Sequence, residues 1–350
     1  MVFKYIYYSQ KTSDTSQIIN PFLINNSILQ NPEWLSIIYP KRNICLFYLI
    51  EDSNIISSAT VIENHRFAKI QFGPLSKDLN SSIDLIISIK NYYIKKHFIY
   101  LDVQLGLVDT VCYSNNIKLI KEHFNFRLEN DFKNWSTVIV NLIDDENSIY
   151  SKFSENHKRS IKKATKEGFF VREINSENEI LEFAMLYDCL YHKRNIEKPF
   201  KDSKSVFLQI FKFFNKNNLG FFLGVYSKDG ILMGGICLAF QGNTVIYQFG
   251  TSGKNENKVP ILHLAFYEAF KITKKRGFSF FDLGGYNRYV DIKNQVYNIN
   301  RFKLGFSNDI LDYPPSFYFV LSKSKFWIYS ILKKTHIKFT VLLNKFLYKK

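Results

Sequence analysis

The chain has 350 residues, 46% of them hydrophobic, and carries 47 lysines and arginines against 31 aspartates and glutamates, a net charge of +16. That length and apolar content exclude a disordered segment and favour two hydrophobic cores over one. The four cysteines, Cys45, Cys112, Cys189 and Cys237, and the seven histidines are dispersed, with no metal-chelating spacing, so no metal is expected and the thiols read as reduced and buried. The first ten residues lack the apolar segment of a signal peptide, and no apolar run approaches the roughly 18 residues needed to cross a bilayer, so the chain reads as cytoplasmic.

In chain order, Asn43–Asp52 and Asn54–Arg66 are apolar, β-branched runs around a short turn, which predicts an antiparallel hairpin; Phe67–Phe72 is a third strand, followed by Gly73-Pro74. Helical spacing of Ile83, Ile86, Ile87, Tyr93 and Ile94 predicts a helix over Ser81–His97, and Phe98–Val103 a buried strand. Acidic Asp144, Asp145 and Glu146, the stripe Ile149, Phe153, Ile161 and Ala164, and the stop at Gly168 predict one long helix over Asn141–Gly168. Helices follow over Glu177–Arg194 and Ser203–Asn217. Strands are predicted at Gly220–Tyr226, Ile231–Phe240 and Thr244–Phe249, then a helix from Pro260 to Lys274-Lys275-Arg276-Gly277 and a strand at Phe278–Leu283.

Both halves therefore read strand, strand, strand, glycine, helix, strand, with an aspartate in the last strand, Asp102 or Asp282. An internal duplication explains this pattern economically. The expected fold class is α/β (α+β), with a first domain over residues 1–142, a second over 143–322 and a basic amphipathic tail over 323–350. That tail carries half of the net charge: Lys323, Lys325, Lys333, Lys334, Lys338, Lys345, Lys349 and Lys350 face no acid. A basic surface of this size suits an anionic partner such as RNA, a nucleotide-linked substrate or an anionic membrane face. Basic segments interleaved with Phe326, Trp327, Ile328, Tyr329, Ile331 and Leu332 suit the membrane, while a helix packed on the second domain is the plainer alternative.

The element order resembles the GCN5-related N-acetyltransferase (GNAT) fold, and its tandem use resembles the Fem family of peptidoglycan bridge-forming enzymes. Four segments carry the resemblance: Phe72-Gly73-Pro74-Leu75; Lys158-Arg159-Ser160-Ile161-Lys162-Lys163-Ala164 with Gly168; Phe281-Asp282-Leu283-Gly284-Gly285; and Arg301-Phe302-Lys303-Leu304-Gly305-Phe306. The resemblance implies two tandem GNAT-like domains. It also implies transfer of an aminoacyl group from aminoacyl-tRNA to an amine of an anionic peptidoglycan precursor, with no bound cofactor. Two alternatives stand beside it: an acyl-CoA-dependent N-acyltransferase acting on an amino sugar of a surface polysaccharide or lipid, and an inactive binding protein of the same fold.

Amide formation needs a neutral acceptor amine and a donor aimed at the oxyanion of the tetrahedral intermediate. Lys303, its stem flanked by Phe302 and Leu304, is the candidate for that donor; an exposed lysine on a β-strand is the alternative. Asp282, at the end of a strand opening at Gly284-Gly285, could orient the amine or accept its proton, or simply cap a turn. Arg159, Lys162 and Lys163 could form a cationic face for substrate phosphates. By the motif, Arg301 and Phe302 would also contact substrate, and Asn287 and Arg288 are further candidates for polar recognition.

Gly250-Thr251-Ser252-Gly253-Lys254 fails the P-loop pattern but precedes a helix, where backbone N–H groups could cradle a donor phosphate; Gly250, Gly253 and Lys254 are the candidates. Against the acyl-CoA pattern its glycine stands one place early. No heptad-patterned arm of the kind some Fem enzymes carry is present in the sequence, and the lysine expected shortly after Trp34 is displaced to Lys41.

Overall fold

The computed structural model describes residues 1–8, 27–105, 136–253, 259–313 and 316–332. In chain order its elements are β1 (Val2–Tyr8), α1 (Pro32–Ile38), β2 (Asn43–Glu51), β3 (Asn54–Asn64), β4 (Phe67–Gln71), β5 (Leu75–Ser76), α2 (Leu79–Lys95) and β6 (Tyr100–Gln104). There follow β7 (Ser136–Asn141), α3 (Glu146–Ser151), α4 (Glu155–Lys166), β8 (Phe170–Glu173), α5 (Glu177–Arg194), α6 (Ser203–Asn217), β9 (Gly220–Tyr226), β10 (Leu232–Gln241) and β11 (Thr244–Ser252). The last are α7 (Ile261–Lys275), β12 (Phe280–Tyr286), α8 (Gln295–Leu304), β13 (Ile310–Asp312), β14 (Phe317–Val320) and a helix, α9, over residues 323–332.

The chain forms two compact units, each with a mixed sheet flanked by helices. In the first, the strand order is β1-β2-β3-β4-β6-β14, with β5 added beside β3. The β2–β3 turn places Asp52 and Ser53 at φ 47° and 65°, the left-handed geometry that matches the twist of a tight hairpin. Asp78 caps α2 by accepting from the Ser81 N–H, and Ile83, Leu85, Ile86, Ile89 and Tyr93 turn into a core with Phe47, Val61 and Val103.

In the second unit the order is β13-β7-β12-β11-β10-β9-β8. Helices α4 and α7 cover one face, where Ile161, Leu264, Phe266 and Phe270 meet Val140, Leu238, Val245 and Phe281. On α5 and α6, Phe183 and Phe207 pack against Phe222 of β9. Trp34 of α1 belongs to this unit and stacks on Phe214 of α6, so it is a buried packing residue of the second core, not a feature of the first half.

The duplication is real at the level of pairing. In each unit two antiparallel pairings (β2–β3 and β3–β4; β9–β10 and β10–β11) feed a helix and then a parallel pairing (β4–β6; β11–β12). The boundary expected near residue 143 is displaced. Strand β7, before it, pairs with β12 of the second sheet, and β14, inside the expected second domain, pairs with β6 of the first. Each sheet thus receives its strand beyond the crossover from a remote stretch of chain, because an open strand edge is satisfied by any segment of matching pattern.

The single helix expected over Asn141–Gly168 is three elements. Asn141 ends β7; Asp145 caps α3 by accepting from the Asn147 and Ser148 N–H groups; Ser154 caps α4 by accepting from the His157 N–H. Ile149, Phe153, Ile161 and Ala164 still face one core, which is why the stripe reads as continuous. Of the cysteines, Cys45 and Cys237 are buried as expected, Cys189 is exposed on α5, and Cys112 lies outside the described residues.

Candidate active site

Strands β11 and β12 pair only from Thr244↔Phe280 to Ile246↔Asp282. Beyond that point β11 continues along β10 to Ser252, while β12 keeps only its pairing with β7. The pairing of β12 with β7 is itself irregular between Asp282 and Gly285, and Gly284 sits at φ +79°, a conformation that strains any residue with a Cβ. This bulge turns the Gly284 N–H onto the Asp282 carboxylate at 2.6 Å and leaves the Gly285 carbonyl to accept from the Lys303 ammonium at 2.7 Å.

Lys303 stands in the last turn of α8, on a helix and buried, not on the strand that the plain reading of its motif supposed. Asp282 is buried too, and its oxygens accept from the Thr137 hydroxyl of β7 and from the Tyr313 hydroxyl at 3.0 Å. Burial pushes the Asp282 pKa up, against the pull of those donors and of Lys303. Burial likewise lowers Lys303, to about 8, with Asp282 opposing the shift. Tyr313 is raised by burial and by the neighbouring carboxylate, so it remains a protonated donor. The result is an ammonium and a carboxylate in a water-poor site, where each acts more strongly than in solvent.

The end of α8 is clasped from α4. His157 is buried, and its Nε2 lies 2.8 Å from the Phe302 carbonyl while Nδ1 lies 3.0 Å from the Ser154 hydroxyl. A carbonyl only accepts, so Nε2 carries the proton and Nδ1 accepts from Ser154. The ring packs edge-on against His263 of α7, with centroids 4.4 Å apart. Burial depresses both imidazoles, His263 to about 4. Phe302 packs among His157, His263, Phe266 and Phe306, so it is part of this clasp.

The other expected residues divide. Arg159, Lys162 and Lys163 are exposed on α4, the Arg159 guanidinium donating back to the Glu155 carbonyl. Arg301 is exposed on α8. Arg288 is tied to Asp312 in an exposed ion pair, and the Asn287 side chain accepts from the Tyr289 N–H while its backbone is bracketed by Asn300, so both shape the loop after β12.

Gly250 and Gly253 are packing glycines: a Cβ would collide with the Tyr247 side chain at the first and the Met233 carbonyl at the second. Lys254 lies outside the described residues. Beside them Thr251 and Ser252 bury hydroxyls that have no hydrogen-bond partner among the described residues. A separate cleft of about 940 Å³, lined by Asn218, Phe221, Phe240 and Arg276 at the other end of the sheet, shares no residue with the Asp282 cluster.

Thr137, Tyr313, His157 and His263 were not among the sequence candidates. His157 adjoins the basic motif at Lys158 and could have been read with it; nothing in the pattern around Thr137 or Tyr313 marks either as a partner of Asp282.

No protein-family model matches the chain, and no curated protein matches it in sequence. Solved structures do. FemX aligns with a TM-score of 0.75 at 13% identity, over 93% of this chain and 99% of that one. The C-terminal domain of a putative lysylphosphatidylglycerol synthetase from Agrobacterium fabrum aligns at 0.57 and 10% identity, over 90% and 93%. A tandem GNAT protein from the clavulanic acid biosynthesis pathway aligns at 0.53 and 7% identity, over 92% and 99%. The fold is a Fem-like tandem GNAT fold. In that fold the split parallel pair and the Lys303–Asp282 cluster lie in the second GNAT-like unit. Among the described residues no helix is long and apolar enough to cross a membrane, and no group of histidine, cysteine or carboxylate side chains could hold a metal.

Proposed function

We propose that the chain is a Fem-type aminoacyltransferase that joins the aminoacyl group of an aminoacyl-tRNA to an amine of an anionic, peptidoglycan-precursor-like acceptor. The observation that carries this reading is the buried Lys303 ammonium, held by the Gly285 carbonyl where β11 and β12 part, with the buried Asp282 beside it. The names of two similar structures, FemX and a putative lysylphosphatidylglycerol synthetase, favour an envelope acceptor.

In the proposed reaction the neutral acceptor amine attacks the ester carbonyl of the donor. The carbonyl oxygen gains charge, and Lys303 donates to it; collapse forms the amide and breaks the ester C–O bond, and the proton lost by the amine is relayed through Asp282 or water to the leaving oxygen, which departs as the donor hydroxyl. Thr137, Tyr313 and the Gly284 N–H hold the carboxylate in place, and the His157 clasp holds the last turn of α8. Arg159, Lys162 and Lys163 supply exposed positive charge for substrate phosphates. A lipid-linked acceptor would bring the enzyme to the inner face of the cell membrane, and the basic C-terminal segment supports that contact.

The test is transfer of labelled carbonyl from charged tRNA, or from acyl-CoA, into a cell-envelope extract. Product from charged tRNA is expected. Product from acyl-CoA alone would replace the donor, and none from either would leave a binding protein of this fold.

A further inference from the structure

Helix α9, residues 323–332, belongs to the first unit and is fixed there by one aromatic face. Phe326 packs on Tyr100 and Tyr318, with centroids 6.1 and 5.9 Å apart, and Tyr329 packs on Phe67 at 4.7 Å. These contacts set the rotation of the helix. At 3.6 residues per turn, Trp327, Ile328 and Ile331 must then lie on the opposite side, and they are 67%, 51% and 41% exposed. Exposed Lys323 and Lys325 border that apolar stripe on its two flanks.

A solvated helix would put charge at the centre of its outer face; this one puts an indole and branched aliphatic groups there, with ammonium groups at the edges. The arrangement matches an interfacial helix, whose apolar side enters the headgroup boundary while flanking lysines reach lipid phosphates. The neighbouring sequence has the same sign: the last thirty residues hold eight lysines and no acid. An anionic membrane rewards such charge whatever its register, whereas a folded protein partner requires opposite charges at fixed positions.

From this geometry we infer that α9 is an interfacial anchor for anionic phospholipid, with Trp327 and Ile328 inserted and Lys323 and Lys325 at the phosphates. The inference rests on the proposed function only for its purpose, to hold the transferase beside a lipid-borne acceptor. Binding itself needs no catalysis.

The experiment is co-sedimentation of the full chain with phosphatidylcholine vesicles, with and without phosphatidylglycerol. Binding is expected only with phosphatidylglycerol. Replacing Trp327 and Ile328 together by serine should weaken it by roughly tenfold or more, and Lys323→Gln or Lys325→Gln by roughly fivefold each. The double serine variant should keep full activity on a soluble acceptor, and Lys303→Met should keep full vesicle binding, so failure of one reading is distinguishable from failure of the other. No binding to anionic vesicles, or binding unchanged in the double serine variant, overturns the anchor. So does a chain that self-associates through this face and dissociates when Trp327 and Ile328 are changed.

Discussion

The two units use the same parallel pairing in opposite ways. In the first, β4 and β6 stay paired from Phe67↔Tyr100 to Gln71↔Gln104, and the Gly73 N–H donates to the Gln104 carbonyl just beyond. Asp102 lies opposite Lys69, and the two form an ion pair at 3.7 Å with both side chains partly solvated. In the second, pairing stops after three residues, and Ile246 lies opposite Asp282. Isoleucine cannot neutralise a carboxylate, so Asp282 turns to the Thr137 and Tyr313 hydroxyls and the bulged Gly284 N–H. A closed sheet leaves its aspartate in a weak surface pair; a parted one gives up ladder hydrogen bonds and gains a buried, polarised site.

The contrast is broken most directly at the two aspartates. Asp282→Ala leaves the Thr137 and Tyr313 hydroxyls without their buried acceptor, and should cost about 1–3 kcal/mol for each in urea-unfolding stability. A loss below about 1 kcal/mol would mean that Asp282 is not the acceptor that holds those hydroxyls. Next comes catalysis: Lys303→Met should lose about 2.7–4 kcal/mol of transition-state stabilisation in the transfer assay, while Lys69→Met in the first unit should leave the rate unchanged. An equal loss in both would abolish the division of labour between the units.

Lys303 also gives the contrast a pH signature. Its folded pKa of about 8 lies below the ordinary 10.5, so the transfer rate should fall as pH rises through about 8 and the ammonium is lost. Between about 8 and 10.5 the unfolded chain binds the extra proton, so this group's contribution to stability should rise with pH; the difference between wild type and Lys303→Met, measured by urea titration at several pH values, reports it.

At the clasp, the His263 pKa is depressed from 6.5 to about 4. The unfolded chain therefore takes up its proton first, and stability should decline as pH falls from 6.5 toward 4, by on the order of 2–3 kcal/mol from this group. His263→Phe should flatten that acid limb; an unchanged limb would assign it elsewhere. The smallest effect is expected at the closed pair, where Asp102→Ala should cost about 0.2–1 kcal/mol, as exposed ion pairs do.

Much of the fold was legible in the sequence. Helices α5 and α6 and strand β9 fall where periodicity and capping residues place them, and the repeated order of strands, glycine and helix exposed the duplication. The errors share a cause. A stripe of apolar residues reports which core a segment faces, not whether its backbone is continuous, so α3 and α4 read as one helix across the Lys152–Ser154 break. Lys303 and Asp282 stand out through their motifs, and the structure buries both in the second unit. Asn287, Arg288, Gly250 and Gly253 have local structural partners instead. Thr137 and Tyr313 were invisible because each reaches Asp282 from a distant part of the chain.

The sequence by itself determined the types of the elements with clear apolar periodicity, the duplication and the placement of charge, since each depends on local propensity and on the period of apolar residues. The tertiary structure decided which strand joins which sheet, where the parallel pair parts, and that Lys303 is a buried helical residue whose ammonium meets the Gly285 carbonyl. Those outcomes depend on which distant segment satisfies an open strand edge and on which polar groups burial forces together, and neither is encoded in the spacing of neighbouring residues.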